Sequence, residues 1–351
     1  QLMAFHYCEI MVINITICWN GAYLLITFNS LNINILSQSA GNLDKYLFIL
    51  EGSSETTRDD TYDLFKRHYK NIYRNAPPSF RGRGNHLNND WLDWFIGFSE
   101  GNAAILYSNN NCHFILTQKD YNILYQIQNY LGFGNVKIYK KDNKIIYGKY
   151  IVSNPKDCLL LYLLFNGNLR LTSRINQLYN WYHILKELLN IDFISINKEI
   201  SLNDAWLSGF TDAVGSFSIK KYKNRNIIYL KCKYILDNKD EFPARRAGYP
   251  ILNKISQLLY NKNLAKLKIS DSRIEISCNH NEKHKIILNY FDKYNLKTTK
   301  YNAYNIFKII LTKVIDKQPL SIETIKEINR LRKSMNKYLL LNRKIGYKNK
   351  S

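Results

Sequence analysis

The sequence has no Cys-x-x-Cys pair, although it contains six cysteines among 351 residues. Cysteines scattered in this way match neither a disulfide framework nor a four-ligand zinc site. Cys278, His280 and His284 lie close together, but three ligands in a polar turn fall short of such a site. We therefore predict buried, reduced thiols and no bound metal at these positions.

Lysine and arginine are absent from positions 1–44, which we define as an apolar N-terminal extension. Within it, residues 10–28 form an apolar run long enough to cross a bilayer, although Asn14, Asn20 and Gly21 interrupt it. The run lacks the basic start of a signal or transit peptide. Three interpretations stay open: a membrane helix that gives a membrane contact, a loosely packed extension, or an added element on the main domain.

Residues 45–87 differ in character and are predicted to be a linker. They contain Pro77-Pro78 and an Arg-Gly-Arg-Gly run, both typical of connecting segments. A short helix is expected within this linker at about 62–73.

Acidic residues are scarce relative to basic ones: 28 Asp and Glu stand against 50 Lys and Arg, a formal net charge of +22. Positive charges in such excess repel one another in a compact state and destabilise it unless a polyanion is bound. Hydrophobic residues make up 46% of the chain, which is enough for a globular core. Because the basic residues are spread from Lys45 to the end, the pattern favours a nucleic-acid groove over a membrane-surface patch.

An internal duplication begins at residue 88. Trp94-x-x-Gly97-Phe98 is repeated as Trp206-x-x-Gly209-Phe210. Each copy continues with alternating stretches and helical runs in the same order, which predicts the element order α-β-β-α-β-β-α. We therefore predict an α+β fold with repeat 1 at 88–195 and repeat 2 at 196–345. Small residues at four-residue spacing predict a close contact between the two motif helices, at Gly97, Gly101, Gly209 and Ala213.

The stretches "WFIGFSEGNAAI" and "WLSGFTDAVGSF" resemble the motifs of the LAGLIDADG homing endonucleases and related intron maturases, in their single-chain two-repeat form. The resemblance covers about residues 88–340. It implies a monomer in which two motif helices pack at an internal pseudo-twofold axis. It also implies two saddle-shaped antiparallel sheets that lie on nucleic acid, and one acidic residue at each helix tip that binds divalent cations for phosphodiester hydrolysis.

The two tip positions implied by the resemblance are Asn102 and Val214, and neither is acidic. Glu100 and Asp212 stand two places earlier, about 200° around the helix, and are not expected to replace the tip acids. Mg²⁺ requires hard oxygen ligands, whereas the two tips offer one amide and a hydrocarbon. We predict that this degenerate site binds no cofactor, and that Mg²⁺ is needed only if the chain is an active endonuclease.

Strand alternation predicts the nucleic-acid surface. In 228–235, Tyr229, Lys231 and Lys233 share one face, opposite apolar residues. The candidate contacts to nucleic acid are Lys137, Tyr139, Lys141, Lys221, Lys223, Tyr229, Lys231, Lys233, Lys266 and Lys268. By position after the second hairpin of each copy, the resemblance also suggests Arg174 and Lys300 as basic residues near the scissile phosphate.

Two functions from different classes follow from these residues. One is a maturase that binds group I intron RNA, assists splicing and no longer cleaves; the other is an active homing endonuclease on double-stranded DNA. A decaying reading frame without activity is a third interpretation, and whether a host splicing factor takes part stays open. Proteins that resemble this one are mostly encoded in organelle introns, and the abundance of Asn, Ile, Lys and Tyr fits an AT-rich coding genome. The expected location is therefore the mitochondrion, with the chloroplast as the alternative.

Overall fold

The computed structural model describes residues 62–73, 88–189, 191–195, 198–224, 227–236, 250–260, 265–270, 273–278, 284–316 and 320–343. The predicted apolar extension, with its residues 10–28, lies outside these ranges, as do Pro77-Pro78, the Arg-Gly-Arg-Gly run and His280. Within the ranges, no helix has both the length and the apolar character needed to cross a membrane.

Repeat 1 begins with a motif helix whose N-cap is Asn88: its side chain accepts a hydrogen bond from the Trp91 N–H at 2.7 Å. The elements of this repeat follow in the predicted order. They are α2 (Asn89–Asn102), β1 (Ala103–Ser108), β2 (Asn111–Gln118), α3 (Asn122–Leu131), β3 (Asn135–Lys141), β4 (Lys144–Val152), α4 (Pro155–Phe165) and α5 (Thr172–Leu189).

The four strands of repeat 1 form an antiparallel sheet in the order β1-β2-β4-β3. Two-residue turns with positive φ, Asn109-Asn110 and Asp142-Asn143, close its hairpins, and asparagine and aspartate tolerate this conformation well. Along β2, Cys112, Phe114 and Leu116 are buried, while His113 and Ile115 between them are partly exposed. The sheet therefore has one face on the core and one exposed face, as the alternation predicts.

Repeat 2 has the same order of elements. They are α6 (Trp206–Val214), β5 (Gly215–Asn224), β6 (Ile227–Leu236), α7 (Pro250–Tyr260), β7 (Ala265–Ser270), β8 (Arg273–Cys278), α8 (Lys285–Lys293) and α9 (Lys300–Asp316), followed by α10 (Ile322–Arg343). Strands β5 and β6 form one antiparallel ribbon and β7 and β8 another, and β6 lies beside β8 as β2 lies beside β4. The predicted α+β class is confirmed.

The spacing Ser201-x-x-Asp204 predicts a capping box at the start of α6, in which the two residues would bond reciprocally. Instead, Asp204 Oδ1 accepts from the Trp206 N–H at 3.1 Å, and Ser201 Oγ accepts from the Asn203 N–H at 3.0 Å. The chain turns sharply just before the helix, so each side chain caps its own local turn. The capping-box prediction is wrong for this reason.

A helix within the predicted linker, α1 (Asp63–Ile72), packs against repeat 1. Phe65 is fully buried, and the Tyr69 hydroxyl donates to the Leu131 carbonyl at 2.7 Å. The Tyr73 hydroxyl donates to Asp157 Oδ1 at 2.5 Å. The short helix was expected, but its contribution to the core of repeat 1 was not.

His284, one of the residues weighed for a metal, lies in the core of repeat 2. Its Nδ1 is 2.8 Å from the Tyr260 hydroxyl, and its Nε2 is 3.0 Å from the Cys232 carbonyl oxygen. Both ring nitrogens are therefore engaged within the protein.

Candidate nucleic-acid interface

The two motif helices, α2 and α6, approach each other at glycine. A Cβ atom on Gly97 would lie 2.1 Å from the Trp206 carbonyl oxygen, and one on Gly209 would lie 1.8 Å from the Trp94 carbonyl oxygen. Both distances are far below van der Waals contact, and the atoms that are met belong to the backbone. Only glycine allows this approach.

One turn further along, the contact is made by Gly101 and Ala213. A Cβ atom on Gly101 would lie 2.4 Å from the Ala213 Cβ, so this layer holds a single methyl group. All four small residues predicted for the helix interface therefore lie at it.

Crossed tryptophan–carboxylate hydrogen bonds join the two repeats. Trp94 Nε1 donates to Asp212 Oδ2 at 2.9 Å, and Trp206 Nε1 donates to Glu100 Oε2 at 2.5 Å. Each motif helix therefore supplies an acid that is held by the tryptophan of the other helix. These bonds keep the register between the helices.

Each carboxylate is also held by a loop of its own repeat, the loop before α5 in repeat 1 and the loop before α9 in repeat 2. Glu100 Oε1 accepts from the backbone N–H groups of Arg170 and Leu171 at 2.7 and 2.6 Å. Asp212 Oδ2 accepts from the Lys297 N–H at 2.6 Å, and its Oδ1 accepts from the Thr298 hydroxyl at 2.5 Å. The two acids thus have matching structural roles.

Glu100 and Asp212 are almost completely buried, and their oxygens are occupied by these donors. Burial raises the pKa of both carboxyl groups, and the hydrogen bonds that they accept oppose this rise. Because their oxygens face the core, neither acid reaches the helix tips. This agrees with the argument from helical rotation.

The tips themselves are Asn102 and Val214, the last residues of α2 and α6. The chain passes directly into strands at Ala103 and Gly215, both in extended conformation. Both tip side chains are partly exposed. The structure therefore places an amide and an isopropyl group where the resemblance implies two metal-binding carboxylates.

Lys300 and Arg174 lie beside the ends of the motif helices. Lys300 Nζ donates to the carbonyls of Thr211, Asp212 and Ala213 at 3.1, 2.7 and 3.0 Å. Arg174 Nε donates to the Glu100 carbonyl at 3.0 Å. A cation at a helix C-terminus satisfies the last carbonyls and the helix dipole.

Burial lowers the pKa of Lys300 to about 8, and the nearby Asp212 charge acts in the opposite direction. The structure brings Lys300 and Arg174 close to the tips, and their role near a scissile phosphate stays a prediction. Their nitrogen atoms, however, cap the helices in these contacts.

The donor set at the tips does not fit a divalent cation. Asn102 offers one neutral oxygen and Val214 offers none, whereas the nearest acids, Glu100 and Asp212, are held inside the core. In the described part of the chain, no group of three or more His, Cys, Asp and Glu side chains is arranged to hold a metal ion. The site therefore lacks the carboxylate ligands that Mg²⁺ prefers.

The exposed face of the β5–β6 ribbon carries basic and aromatic residues. Tyr229, Lys231 and Lys233 lie on this face, while Leu230 and Tyr234 are buried on the other. This is the division that the alternation predicts.

The register of this ribbon adds two residues that the sequence argument missed. Lys220 pairs with Lys231, and Tyr222 pairs with Tyr229. The predicted contacts Lys221 and Lys223 are exposed, but they pair with Leu230 and Ile228 and so lie on the opposite face of the ribbon. Counting the alternation forward from the buried Phe217 would have separated Lys221 and Lys223 from Lys220 and Tyr222.

Lys266 and Lys268 lie in β7, where they pair with Ser277 and Glu275. Their side chains are outside the described part of the structure.

In repeat 1, the predicted Lys137, Tyr139 and Lys141 lie on β3, at the edge of the sheet. Lys137 pairs with Lys149, and Tyr139 pairs with Tyr147. Lys149 and Tyr147 were not predicted, because only the pairing of β3 with β4 brings them beside the others.

Two α+β repeats that are joined through paired motif helices are the architecture that the resemblance implies, that of the single-chain, two-repeat nucleases. The family model described as "LAGLIDADG endonuclease" matches residues 95–185 and 207–311, one copy in each repeat. The chain belongs to the LAGLIDADG endonuclease family.

Two relatives are similar in sequence to this chain over most of its length. The "Probable intron-encoded endonuclease 4" of Neurospora crassa is 32% identical over 264 residues, which are 72% of this chain but only 45% of that protein. The "Uncharacterized cox1 intron-2 37.2 kDa protein" of Schizosaccharomyces pombe is 28% identical over 272 residues, 77% of this chain and 76% of that protein. The chain thus spans less than half of the Neurospora relative.

Solved structures share the fold. The LAGLIDADG meganuclease I-CpaMI bound to uncleaved DNA has 22% identity and a TM-score of 0.52, covering 70% of this chain and 99% of that one. The meganuclease I-AabMI, also bound to uncleaved DNA, has 19% identity and a TM-score of 0.53 with the same coverage.

Proposed function

We propose that this chain is an intron-encoded RNA maturase that binds its group I intron RNA, assists splicing and has lost DNA cleavage. The observation that carries this proposal is the pair of tip residues, Asn102 and Val214, at the ends of two otherwise intact motif helices. The interface below the tips keeps its glycines and its crossed tryptophan–carboxylate bonds. The scaffold is thus retained while the metal ligands are replaced.

Electrostatics supports binding without cleavage. Two carboxylates at the tips would repel the phosphate backbone unless metal ions neutralised them. Their replacement removes this repulsion, while the net charge of +22 and the lysines on the exposed sheet faces still attract a polyanion. Binding is then dominated by phosphate contacts and weakens steeply as the salt concentration rises.

A splicing assay tests the proposal. The purified protein, added to its intron-containing precursor RNA at moderate Mg²⁺, is expected to accelerate splicing. A gel shift at matched salt is expected to show tighter binding to the intron RNA than to the exon-junction DNA. No acceleration of splicing by folded protein would contradict the maturase proposal.

The second candidate is an active homing endonuclease that uses Mg²⁺. It is favoured by three relatives: probable intron-encoded endonucleases of Neurospora crassa and Debaryomyces hansenii and an intron-encoded DNA endonuclease of Dictyostelium discoideum. Mg²⁺-dependent cleavage of a plasmid carrying the intron-less site would support it. In that case, changing Asn102→Asp and Val214→Asp together should add little activity; cleavage that arises only in this double variant would support a lost activity.

We further propose a mitochondrial location, because one relative is described as a cox1 intron protein. We also propose two further interactions for testing: binding of a host splicing factor, and contact of residues 10–28 with a membrane. Fractionation of organelles with an antibody to the chain distinguishes the mitochondrion from the chloroplast and a membrane-bound from a soluble pool.

A further inference from the structure

Each repeat presents the same four-residue arrangement on the exposed face of a hairpin. In repeat 1, the pair Tyr139–Tyr147 is followed, two residues along both strands, by the pair Lys137–Lys149. In repeat 2, the pair Tyr222–Tyr229 is followed in the same way by the pair Lys220–Lys231. We name these two sets the tyrosine–lysine platforms of repeat 1 and repeat 2.

The two platforms lie on different hairpins, β3–β4 in repeat 1 and β5–β6 in repeat 2. They are therefore not equivalent positions of the duplication. The same residues in the same cross-strand arrangement occur at two unrelated places on the surface.

The platform of repeat 1 is preorganised. The rings of Tyr139 and Tyr147 are stacked, with centroids 4.7 Å apart and planes 20° from parallel. Lys149 Nζ lies 5.3 Å from the Tyr139 centroid and 5.9 Å from the Tyr147 centroid, so the ammonium group is held beside both rings. All three side chains are partly exposed.

The platform of repeat 2 is more open. Tyr222 and Tyr229 are 47% and 44% exposed, so both rings present open faces to the solvent. Both lie on the same face as Lys231. What distinguishes these two rings is that they pair across the strands beside two lysines, which offers adjacent ring faces and a cation to one ligand.

A stacked ring and a lysine fit a nucleotide whose base is unpaired. In an intact duplex, the faces of the bases are covered by their neighbours and only their edges are open, so a tyrosine ring has no base face to stack on. In unpaired RNA, bases can lie on aromatic side chains while their phosphates contact nearby cations.

We propose that the two tyrosine–lysine platforms bind unpaired nucleotides of RNA by stacking. This inference rests on the proposed function, because it names the part of an RNA that the sheet surface recognises. The tyrosines carry the preference for unpaired bases, and the lysines contribute affinity for phosphate in any nucleic acid.

The test compares two probes with equal numbers of phosphates: a polyuridylate oligonucleotide, which has no pairing, and a fully paired RNA duplex. In the full chain, the change Tyr139→Ala with Tyr147→Ala is expected to weaken binding of polyuridylate by about tenfold or more. Binding of the duplex should change less than about twofold, because only phosphate contacts remain. The change Tyr222→Ala with Tyr229→Ala should act in the same direction.

Two control variants separate stacking from structural damage. Tyr139→Phe with Tyr147→Phe keeps both rings and should retain polyuridylate binding. Tyr125→Ala removes a tyrosine that is 42% exposed on α3, a helix that packs against the face of β4 opposite the platform, and should bind like the wild type. Thermal unfolding of every variant shows whether the fold persists.

Equal losses for both probes in the alanine variants, or no loss for either, would overturn the proposal, as would wild-type protein that does not bind polyuridylate. These results are independent of splicing. If the platforms fail while the protein still accelerates splicing, only this inference falls; if polyuridylate binding depends on the rings but splicing is not accelerated, the maturase proposal falls alone.

Discussion

The contact between the motif helices can be tested by adding one methyl group. The change Gly209→Ala places a Cβ atom 1.8 Å from the Trp94 carbonyl oxygen and 2.8 Å from the Phe98 backbone nitrogen. Because both are backbone atoms, no side-chain rotation relieves the overlap. The helices must move apart by about 1.5 Å to restore ordinary contact.

The expected cost follows from packing and helix propensity. Overpacking a well-packed interface costs roughly 1–3 kcal/mol, and occasionally more. The alanine returns up to about 1 kcal/mol of helix propensity. Separation of the helices would also lengthen the Trp94–Asp212 and Trp206–Glu100 hydrogen bonds. The weakened hydrogen bonds keep the cost at the upper end of the overpacking range, so we expect a net loss of about 2 kcal/mol in the free energy of unfolding.

A matched pair of variants one turn away gives the control. In Gly101→Ala the new Cβ meets a side-chain atom, the Ala213 Cβ, at 2.4 Å. Adding Ala213→Gly moves the single methyl group to the other helix, so this double variant should recover most of the stability lost in Gly101→Ala. Removal of a side chain cannot rescue Gly209→Ala.

Urea unfolding followed by circular dichroism measures these differences. If Gly209→Ala unfolds within about 0.5 kcal/mol of the wild type, or if the Gly101 and Ala213 changes simply add, the close backbone contact does not exist as described.

Three further predictions concern charge. The pKa of Lys300 is lowered to about 8, so the folded chain releases this proton at a lower pH than the unfolded chain does. Relative to a Lys300→Met variant, the wild type should therefore gain stability as the pH rises from about 8 towards the ordinary lysine pKa of about 10.4. A stability difference that is independent of pH would contradict the lowered pKa. Changing Asn102→Asp and Val214→Asp together places two carboxylates opposite phosphate, and in the absence of divalent ions it should weaken RNA binding by about 1 kcal/mol per carboxylate. A gel shift measures this affinity, and an unchanged value would mean that the tips do not face phosphate. Arg170→Met removes the buried guanidinium that lies 2.6 Å from Asp204 Oδ2, and it should lower the free energy of unfolding in urea by about 2 kcal/mol. This loss is smaller than for a fully buried pair because Asp204 is partly exposed. A variant as stable as the wild type would show that the ion pair does not contribute to stability.

Much of the fold could be predicted from the sequence, because helices and strands depend on local periodicity. The alternation around Leu230 separates buried from exposed residues within one strand without any knowledge of the neighbouring strand. The position of Val214 at a helix tip likewise follows from counting along a duplicated motif. These are properties of short segments of chain.

Other features depend on contacts between distant segments. The role of Glu100 required knowing that Trp206, more than one hundred residues later, lies against it. The helix at 63–72 could be expected as a helix, but only the packing of Phe65 shows that it contributes to the core of repeat 1.

The two repeats, and the fact that neither motif ends in an acid, can be read directly from the order of residues. The direction in which the remaining carboxylates point, and the tyrosines and lysines that stand side by side on the exposed sheets, follow from the folded structure alone. Residue type and periodicity are set along the chain, whereas hydrogen-bond partners and cross-strand neighbours are set by how segments dock in space.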